Sequence, residues 1–378
     1  MKNYFEKFFA FLLLVSAILI ILTIFSCKKK ESPDSTQDTI RKLRDVTDSV
    51  IENTDVPGIV ALVSDKKKGI DWIYAAGYSN LETKAPMDEN HTFRMASISK
   101  TFVGTVALQM VDEGKIKLED KISPLFPEYA FSNQITLAML LGMTSGIYDY
   151  TYDDRFLYAL NHEPLTVWTR EQLLELSLSH GLSFPPGTSW EYSNTNYTVL
   201  GLIIEKLSGN TLEEEIQRRI IEPLHLKNTG FLVSGTTFPG DHGRGYYSED
   251  APEVHDATEY ADISNLWACG SGYSNPRDLQ KFAERLVGGG FLSDSLQHRR
   301  LSEKQWVGGI FGYSGLSILQ LGSFYGHGGI IWGYTTAMYH SIEKECTVVI
   351  YFNCDRSKTI IPGDLFLRFA EILYGADY

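Results

Sequence analysis

The stretch Phe93-Arg-Met-Ala-Ser97-Ile-Ser-Lys100-Thr-Phe-Val-Gly-Thr-Val-Ala-Leu-Gln-Met-Val-Asp-Glu-Gly114 carries the pattern on which the rest of the chain turns. Apolar residues at Phe102, Val103, Val106, Ala107, Met110 and Val111 recur at helix spacing and predict one buried face. Gly114 suits a C-terminal stop. Ser97 is expected in the first turn, where N–H groups are unpaired and the helix dipole is positive. Lys100 follows three residues on, hence on the same face. A serine hydroxyl is a poor nucleophile until a base takes its proton. A lysine in a dry site loses basicity and can be that base. The Ser97 N–H can help hold an oxyanion. An ordinary surface helix shows the same pair, and S-x-x-K is short and frequent. The rest of the chain has to decide.

On the N-terminal side, Thr39 to Glu52 has the apolar spacing of an amphipathic helix. Gly58 to Ser64 reads as a buried strand and Asp71 to Tyr78 as a second, with the turn at Lys66 to Gly69. On the C-terminal side helices dominate first. Thr169 opens one that Gly181 ends, and Asn194 to Leu207 is another, stopped by Gly209. Thr211 with Glu214 forms a capping box for a third, ended by Pro223. Asn275-Pro276 opens a fourth, through Leu286. Strands return at Leu316 to Leu321, Tyr334 to His340 and Cys346 to Asn353, and Asp364 to Tyr374 closes the chain as a helix. Strands at both ends with helices between predict an α/β fold. Its antiparallel sheet is built from both chain ends with flanking helices, around a mostly helical insertion. The sheet part spans about 39–95 and 305–378, the helical part about 96–304.

The N-terminus carries a different pattern. Lys2 and Lys7 precede an apolar run from Phe8 to Phe25, then Ser26, Cys27 and three lysines. A basic start, an apolar run and a small residue before the break read as an export signal. An uncleaved membrane anchor is the alternative, since ~18 apolar residues can just span a bilayer. Residues 28–38 are polar and are expected to be a structureless tether. The net charge of −13 argues against a nucleic-acid partner, which needs a basic face. Cys346 and Cys354 lie on one expected strand, ~26 Å apart, and cannot bridge. With Cys269 they are expected to be buried thiols.

Three further stretches carry possible chemistry. Pro185-Pro-Gly-Thr-Ser-Trp-Glu-Tyr192-Ser-Asn194 ends before a helix. A tyrosine can relay a proton if neighbouring cations lower its pKa, and an Asn amide can hold a substrate carbonyl and a lysine at once. A core tyrosine and an Asn N-cap fit the same letters. Gly326-His327-Gly328-Gly329 falls between expected strands. It is either a glycine turn with an incidental histidine or a place where a ligand lies against backbone. Leu140-Leu-Gly-Met-Thr-Ser-Gly146 fits a helix end and turn.

S-x-x-K at 97–100, Y-x-N at 192–194 and H-x-G at 327–329, in that order, resemble the penicillin-recognising serine hydrolases. That superfamily holds class C β-lactamases, serine D-alanyl-D-alanine carboxypeptidases, D-aminopeptidases and related esterases. The resemblance runs from about Asp55 to Leu373 and takes in Val111 to Asp120, Glu222 to Phe231 and Gly270 to Ser274. It implies a β-lactamase/DD-peptidase-like fold, with Ser97 as acylated nucleophile and Lys100 as its neighbouring base or electrostatic partner. Tyr192 is the implied proton carrier, and Asn194, His327 and Gly329 the substrate-binding residues. The N–H groups of Ser97 and Ile330 are implied as the oxyanion hole. No metal or organic cofactor is implied. The expected substrate is a D-amino-acid peptide, as for a D-alanyl-D-alanine carboxypeptidase. A small ester or amide, a β-lactam, or a non-turnover sensing role are the alternatives. Ile24-Phe-Ser-Cys27 resembles a bacterial lipobox, which implies cleavage before Cys27, lipidation of its thiol, and an exported, membrane-tethered protein. His327 stands where class C enzymes have a lysine, and it is expected to titrate between about pH 5.5 and 8. Trp332 and Met143 depart from the family pattern at positions expected to line the cleft.

Overall fold

The computed structural model describes residues 33–247, 254–309, 312–355 and 360–378. The apolar run and Cys27 lie outside them. The chain divides into two compact units, 1–39 and 40–378. The described residues of the first, 33–39, are helical.

The strands in chain order are β1 Gly58–Asp65, β2 Ile70–Asn80, β3 Ala85–Pro86, β4 Phe93–Arg94, β5 Gly230–Phe231, β6 Tyr246–Tyr247, β7 His255–Asp256, β8 Gly272–Ser274, β9 Gln305–Gly308, β10 Gly312–Ser314, β11 Leu319–Leu321, β12 Phe324–Ile331, β13 Tyr334–Ser341 and β14 Cys346–Phe352. Nine form one sheet in the order β3-β2-β1-β14-β13-β12-β11-β10-β9, with neighbouring pairs antiparallel. Both chain ends therefore build it, joined at the β1–β14 ladder from Ile59↔Phe352 to Asp65↔Cys346. β1 and β14 are buried along their whole length, so they read as unbroken apolar runs rather than alternating ones. Strand alternation then sorts their side chains. Val60, Leu62, Val349, Tyr351 and Met338 enter the core on the front face. Ile59, Ala61, Val63, Val348, Ile350, Ala337 and Tyr339 enter a separate core on the back. Leu43 and Val50 of the helix Pro33–Asn53 and Leu365, Phe366 and Phe369 of the helix Pro362–Tyr374 complete that back core. Phe369 meets Trp72 edge-on at 5.8 Å, and truncating it to Ala is worth about 3–5 kcal/mol.

On the front lies the helix Ser99–Asp112. It is buried on all sides from Ser99 to Leu108, not on one face as its spacing predicts. Phe102 stacks on Phe282 of the helix Pro276–Gly288 at 3.6 Å, and the helices Thr195–Ser208, Leu212–Ile216 and Trp267–Gly270 close its other sides. Thr101 and Thr105 tolerate this because their hydroxyls donate to Ile98 O (2.7 Å) and Thr101 O (2.6 Å). Gly104 is required, since a Cβ there would lie 2.0 Å from Ser317 Oγ.

Several local readings change. Residues 33–38, expected as tether, begin the helix Pro33–Asn53. Proline suits a first turn, but the polar letters that follow carry no apolar stripe. Pro223 does not end its helix. A five-residue π turn, Gln217–Ile221, precedes it, and Glu222–Leu224 continues as helix with proline in its first turn. The expected strand Leu316 to Leu321 contracts to β11. The glycine stretch around His327 is not a connection but the middle of β12, and β9 and β10 extend the sheet beyond it.

Candidate active site

Ser97 sits in a single 3-10 turn, Ala96–Ile98, that runs into the helix Ser99–Asp112. The turn is held from three directions. Met95 N donates to Gly272 O at 2.8 Å. Gly272 N donates to Ser99 Oγ at 3.1 Å. Thr336 Oγ1 donates to Met95 O at 3.2 Å. Ala96 is left with φ of +49°, a left-handed conformation that disfavours a residue with a Cβ. The crowding explains two glycines. A Cβ on Gly272 would lie 2.3 Å from Met95 Cε, and one on Gly329 would lie 2.5 Å from Met95 O and 2.9 Å from Ala96 Cβ.

Two donors converge on Ser97 Oγ: Lys100 Nζ at 3.0 Å and Tyr192 OH at 2.8 Å. Lys100 is fully buried and also donates to Cys269 O at 2.8 Å. Its Nζ lies 5.0 Å from the Tyr192 ring centroid and 5.6 Å from that of Tyr197. Burial lowers the Lys100 pKa, only partly opposed by Cys269, Tyr197 and Asp149. A lowered amine is a usable base near neutral pH. Tyr192 goes the other way. Burial raises its pKa, against the hydrogen bond to Ser97. The expectation of a cation-lowered tyrosine does not hold, and Tyr192 stays a phenol that donates.

Asn194 also departs from expectation. Its backbone is helical and its side chain caps nothing. Backbone N and Nδ2 both donate to Asp149 Oδ2 at 3.0 Å. The lysine contact expected of it belongs to Cys269 O instead. With an N–H turned to the carboxylate, its Oδ1 is available as an acceptor. Burial raises the pKa of Asp149, while hydrogen bonds from Asn194 and Thr151 counteract it.

The opposite wall is β12. His327 is 5% exposed, and its Nδ1 bonds Gly328 O. Burial and the charge of Lys100 push its pKa down to about 4. It is neutral between pH 5.5 and 8, so the titration expected from its letter alone is absent. The Tyr192 and His327 rings face each other at 6.4 Å. Ser97, Tyr192, Asn194, His327, Gly329 and Ile330 line one cavity of about 530 Å³. All the sequence-predicted side chains thus meet there, with Lys100 directly behind Ser97. Met143 and Trp332 are not among its lining residues. Met143 Sδ accepts from Asn196 Nδ2 at 3.3 Å, and Trp332 packs against Tyr260 at 6.2 Å. Two participants gave no signal in the sequence: Asp149, and the Cys269 carbonyl, which is backbone. Cys269, Cys346 and Cys354 are buried free thiols. Among the described residues no group of three or more His, Cys, Asp or Glu could hold a metal ion.

A serine flanked by a buried lysine and a tyrosine, in a turn that opens a helix and packs against an antiparallel sheet, defines a serine hydrolase of the penicillin-recognising type. The family model for β-lactamase matches residues 37–366, and the chain belongs to that family. It is 26% identical over 330 residues to penicillin-binding protein 4* of Bacillus subtilis (strain 168), covering 82% of this chain and 72% of that protein. A D-stereospecific amidohydrolase from Streptomyces sp. superposes with a TM-score of 0.79 at 28% identity, covering 89% of this chain and 99% of that one. D-amino acid amidase from Ochrobactrum anthropi SV3, in complex with D-phenylalanine, gives a TM-score of 0.79 at 25% identity with the same coverage.

Proposed function

We propose that this hydrolase cleaves amides and peptides of D-amino acids through an acyl-enzyme on Ser97. The observation that carries the mechanism is the pair of donors on Ser97 Oγ, one from an amine whose basicity burial has lowered. Lys100, as the neutral amine, takes the Ser97 proton while Oγ bonds the substrate carbonyl carbon. The developing oxyanion is held by the Ser97 and Ile330 N–H groups. Tyr192 donates its proton to the leaving nitrogen and is reprotonated from Lys100 through the hydrogen bonds they share at Oγ. Water then cleaves the ester by the reverse route. Asn194 Oδ1 accepts a substrate N–H.

Similarity to a D-stereospecific amidohydrolase and a D-amino acid amidase supports the D-amino-acid side of this reading. The leaving side follows from charge. Lys100 is engaged at Oγ, His327 is neutral, and no arginine or other lysine is among the described residues lining the cavity. A free terminal carboxylate finds no cation there, so amides are favoured over the carboxypeptidase substrates that the motifs suggest. The test is a comparison of D-phenylalanine amide, a D-Ala-D-Ala peptide, a nitrophenyl ester and a chromogenic cephalosporin. Amide turnover faster than that of the peptide is expected, and fastest turnover of the cephalosporin would overturn the reading.

We also infer, from Ile24-Phe-Ser-Cys27, export and lipid tethering through Cys27, so that the enzyme acts beside a membrane. Cys27→Ala is expected to abolish lipid labelling and membrane partitioning, and unchanged processing would refute it.

A further inference from the structure

The Ser97 cavity does not end at the front of the sheet. Its lining continues past His327 and Ile330 to Leu319, Leu321, Ala337, Tyr339, Ile361 and Leu367. Ala337 and Tyr339 belong to the back core. Leu319 and Leu321 stand opposite Gly326 and Phe324. Paired residues share a face, and Phe324 is also in the back core. One cavity therefore has walls on both faces of the sheet.

Two features open the passage. β11 covers β12 only as far as Gly326, so from His327 to Ile331 that side of β12 is an uncovered edge. Then, at Gly328, a Cβ would find only Thr336 O, at 3.4 Å. That is ordinary contact, so the glycine is not forced by crowding, unlike Gly329. Its missing side chain leaves space. Two polar side chains around the back part are already engaged. Thr335 Oγ1 donates to Cys354 O at 3.0 Å, and Asp364 Oδ2 accepts from Ile361 N at 3.0 Å. The remaining lining is mostly apolar, the Tyr339 hydroxyl and the Asp364 carboxylate apart, and it is continuous with the nucleophile.

We propose that this back compartment receives a long aliphatic or aromatic chain carried by the molecule that acylates Ser97. The proposal rests on the serine hydrolase reading and names the substrate class within it: amides or esters bearing a large apolar substituent. Burial of each methylene raises affinity up to about fourfold. The purified enzyme is assayed with two ester series, one lengthening the acyl chain from butyrate to octanoate, the other lengthening the alcohol by the same carbons. A rise in kcat/KM of ~10-fold or more is expected in one series, and that series identifies which side of the scissile bond carries the chain. Ala337→Phe fills the compartment, and Leu367→Glu puts a charge at its partly exposed margin. Both are expected to erase the rise, read as the ratio of long to short ester. If the bulkier core variant does not fold, the Leu367 variant decides. No rise in either series, or a rise that survives the substitutions, overturns the proposal. A small fluorophosphonate titrates Ser97 in every sample. Failure to label the wild-type enzyme would sink the hydrolase reading itself, independently of chain length.

Discussion

On one side of the Ser97 cavity, Ser97, Lys100, Tyr192 and Asn194 are side chains held by other groups through hydrogen bonds of 2.8–3.0 Å. On the other side, His327 to Ile331 is the part of β12 that β11 leaves unpaired, with two glycines and open backbone. The first wall has donors, acceptors and a base, with Lys100 fully buried behind the partly buried Ser97 and Tyr192. The second has shape, and one imidazole kept neutral by its surroundings. The difference teaches that the two walls fail differently. Removing an atom from the first removes chemistry, whereas adding an atom to the second removes fit.

The largest effect is expected from Ser97→Ala, on the order of 10⁴–10⁶ in kcat, the scale for losing a nucleophile. Loss of fluorophosphonate labelling with an unchanged circular dichroism spectrum checks it, and an adduct on another serine would contradict it. Next come Lys100→Met and Tyr192→Phe, at about 10²–10⁴ each. Because both act on one oxygen, the double variant is expected to be little worse than the poorer single. Multiplicative losses in a double-mutant cycle would separate their roles. Lys100→Met also takes a desolvated amine out of the core, so its melting temperature is expected to hold or rise while activity falls.

The second wall is tested by addition. Gly329→Ala drives a methyl into Met95 O and Ala96. It is expected to lose about 1–3 kcal/mol in a denaturant titration and to lower kcat with it, as the wall backs away from Ser97. Gly328→Ala, with room for the methyl, is expected to stay within about 0.5 kcal/mol. Equal losses at the two glycines would erase the distinction between crowding and open space.

A further effect is in pH, and it falls on stability rather than on the chemical step. The imidazole of His327 falls from its ordinary 6.5 to about 4 in the fold. Between those values the unfolded chain binds a proton that the folded one does not. Stability therefore falls as pH drops from 6.5 to 4 and is unaffected by this group above or below. His340, held near 4 mainly by burial, adds in the same direction. His327→Gln is expected to reduce the slope of stability against pH by at most one proton, about 1.4 kcal/mol per pH unit. A wild-type KM that shifts between pH 5.5 and 8 with the His327 charge would contradict the buried, neutral state.

The contrast between the walls also decides what the sequence makes legible. Ser97 and Lys100 announce themselves through helix period, and the β1 and β14 runs announce a sheet shared by both chain ends. β12 does not, because Gly326, Gly328 and Gly329 carry no strand preference and its conformation comes from pairing with β13. The partners and environments of Asn194 and Tyr192 are not legible in the sequence because each depends on a distant neighbour. Asp149 lies 45 residues from Asn194, and the tyrosine pKa is set by burial that no local pattern records. The Cys269 carbonyl is invisible for a simpler reason: every residue has one.

Met95, which opens the turn at Ala96, is tied to Thr336, 241 residues away, and Lys100 to Cys269, 169 residues away. Nothing local would keep an alanine left-handed. In a refolding chain this turn therefore belongs among the last contacts to form, since long loops must close before they reward the strain. Helix content is expected to recover before reactivity, which stopped-flow circular dichroism beside timed fluorophosphonate labelling would resolve. The nucleophile is in this sense self-inspecting: a chain that has not brought its two ends together does not yet own one.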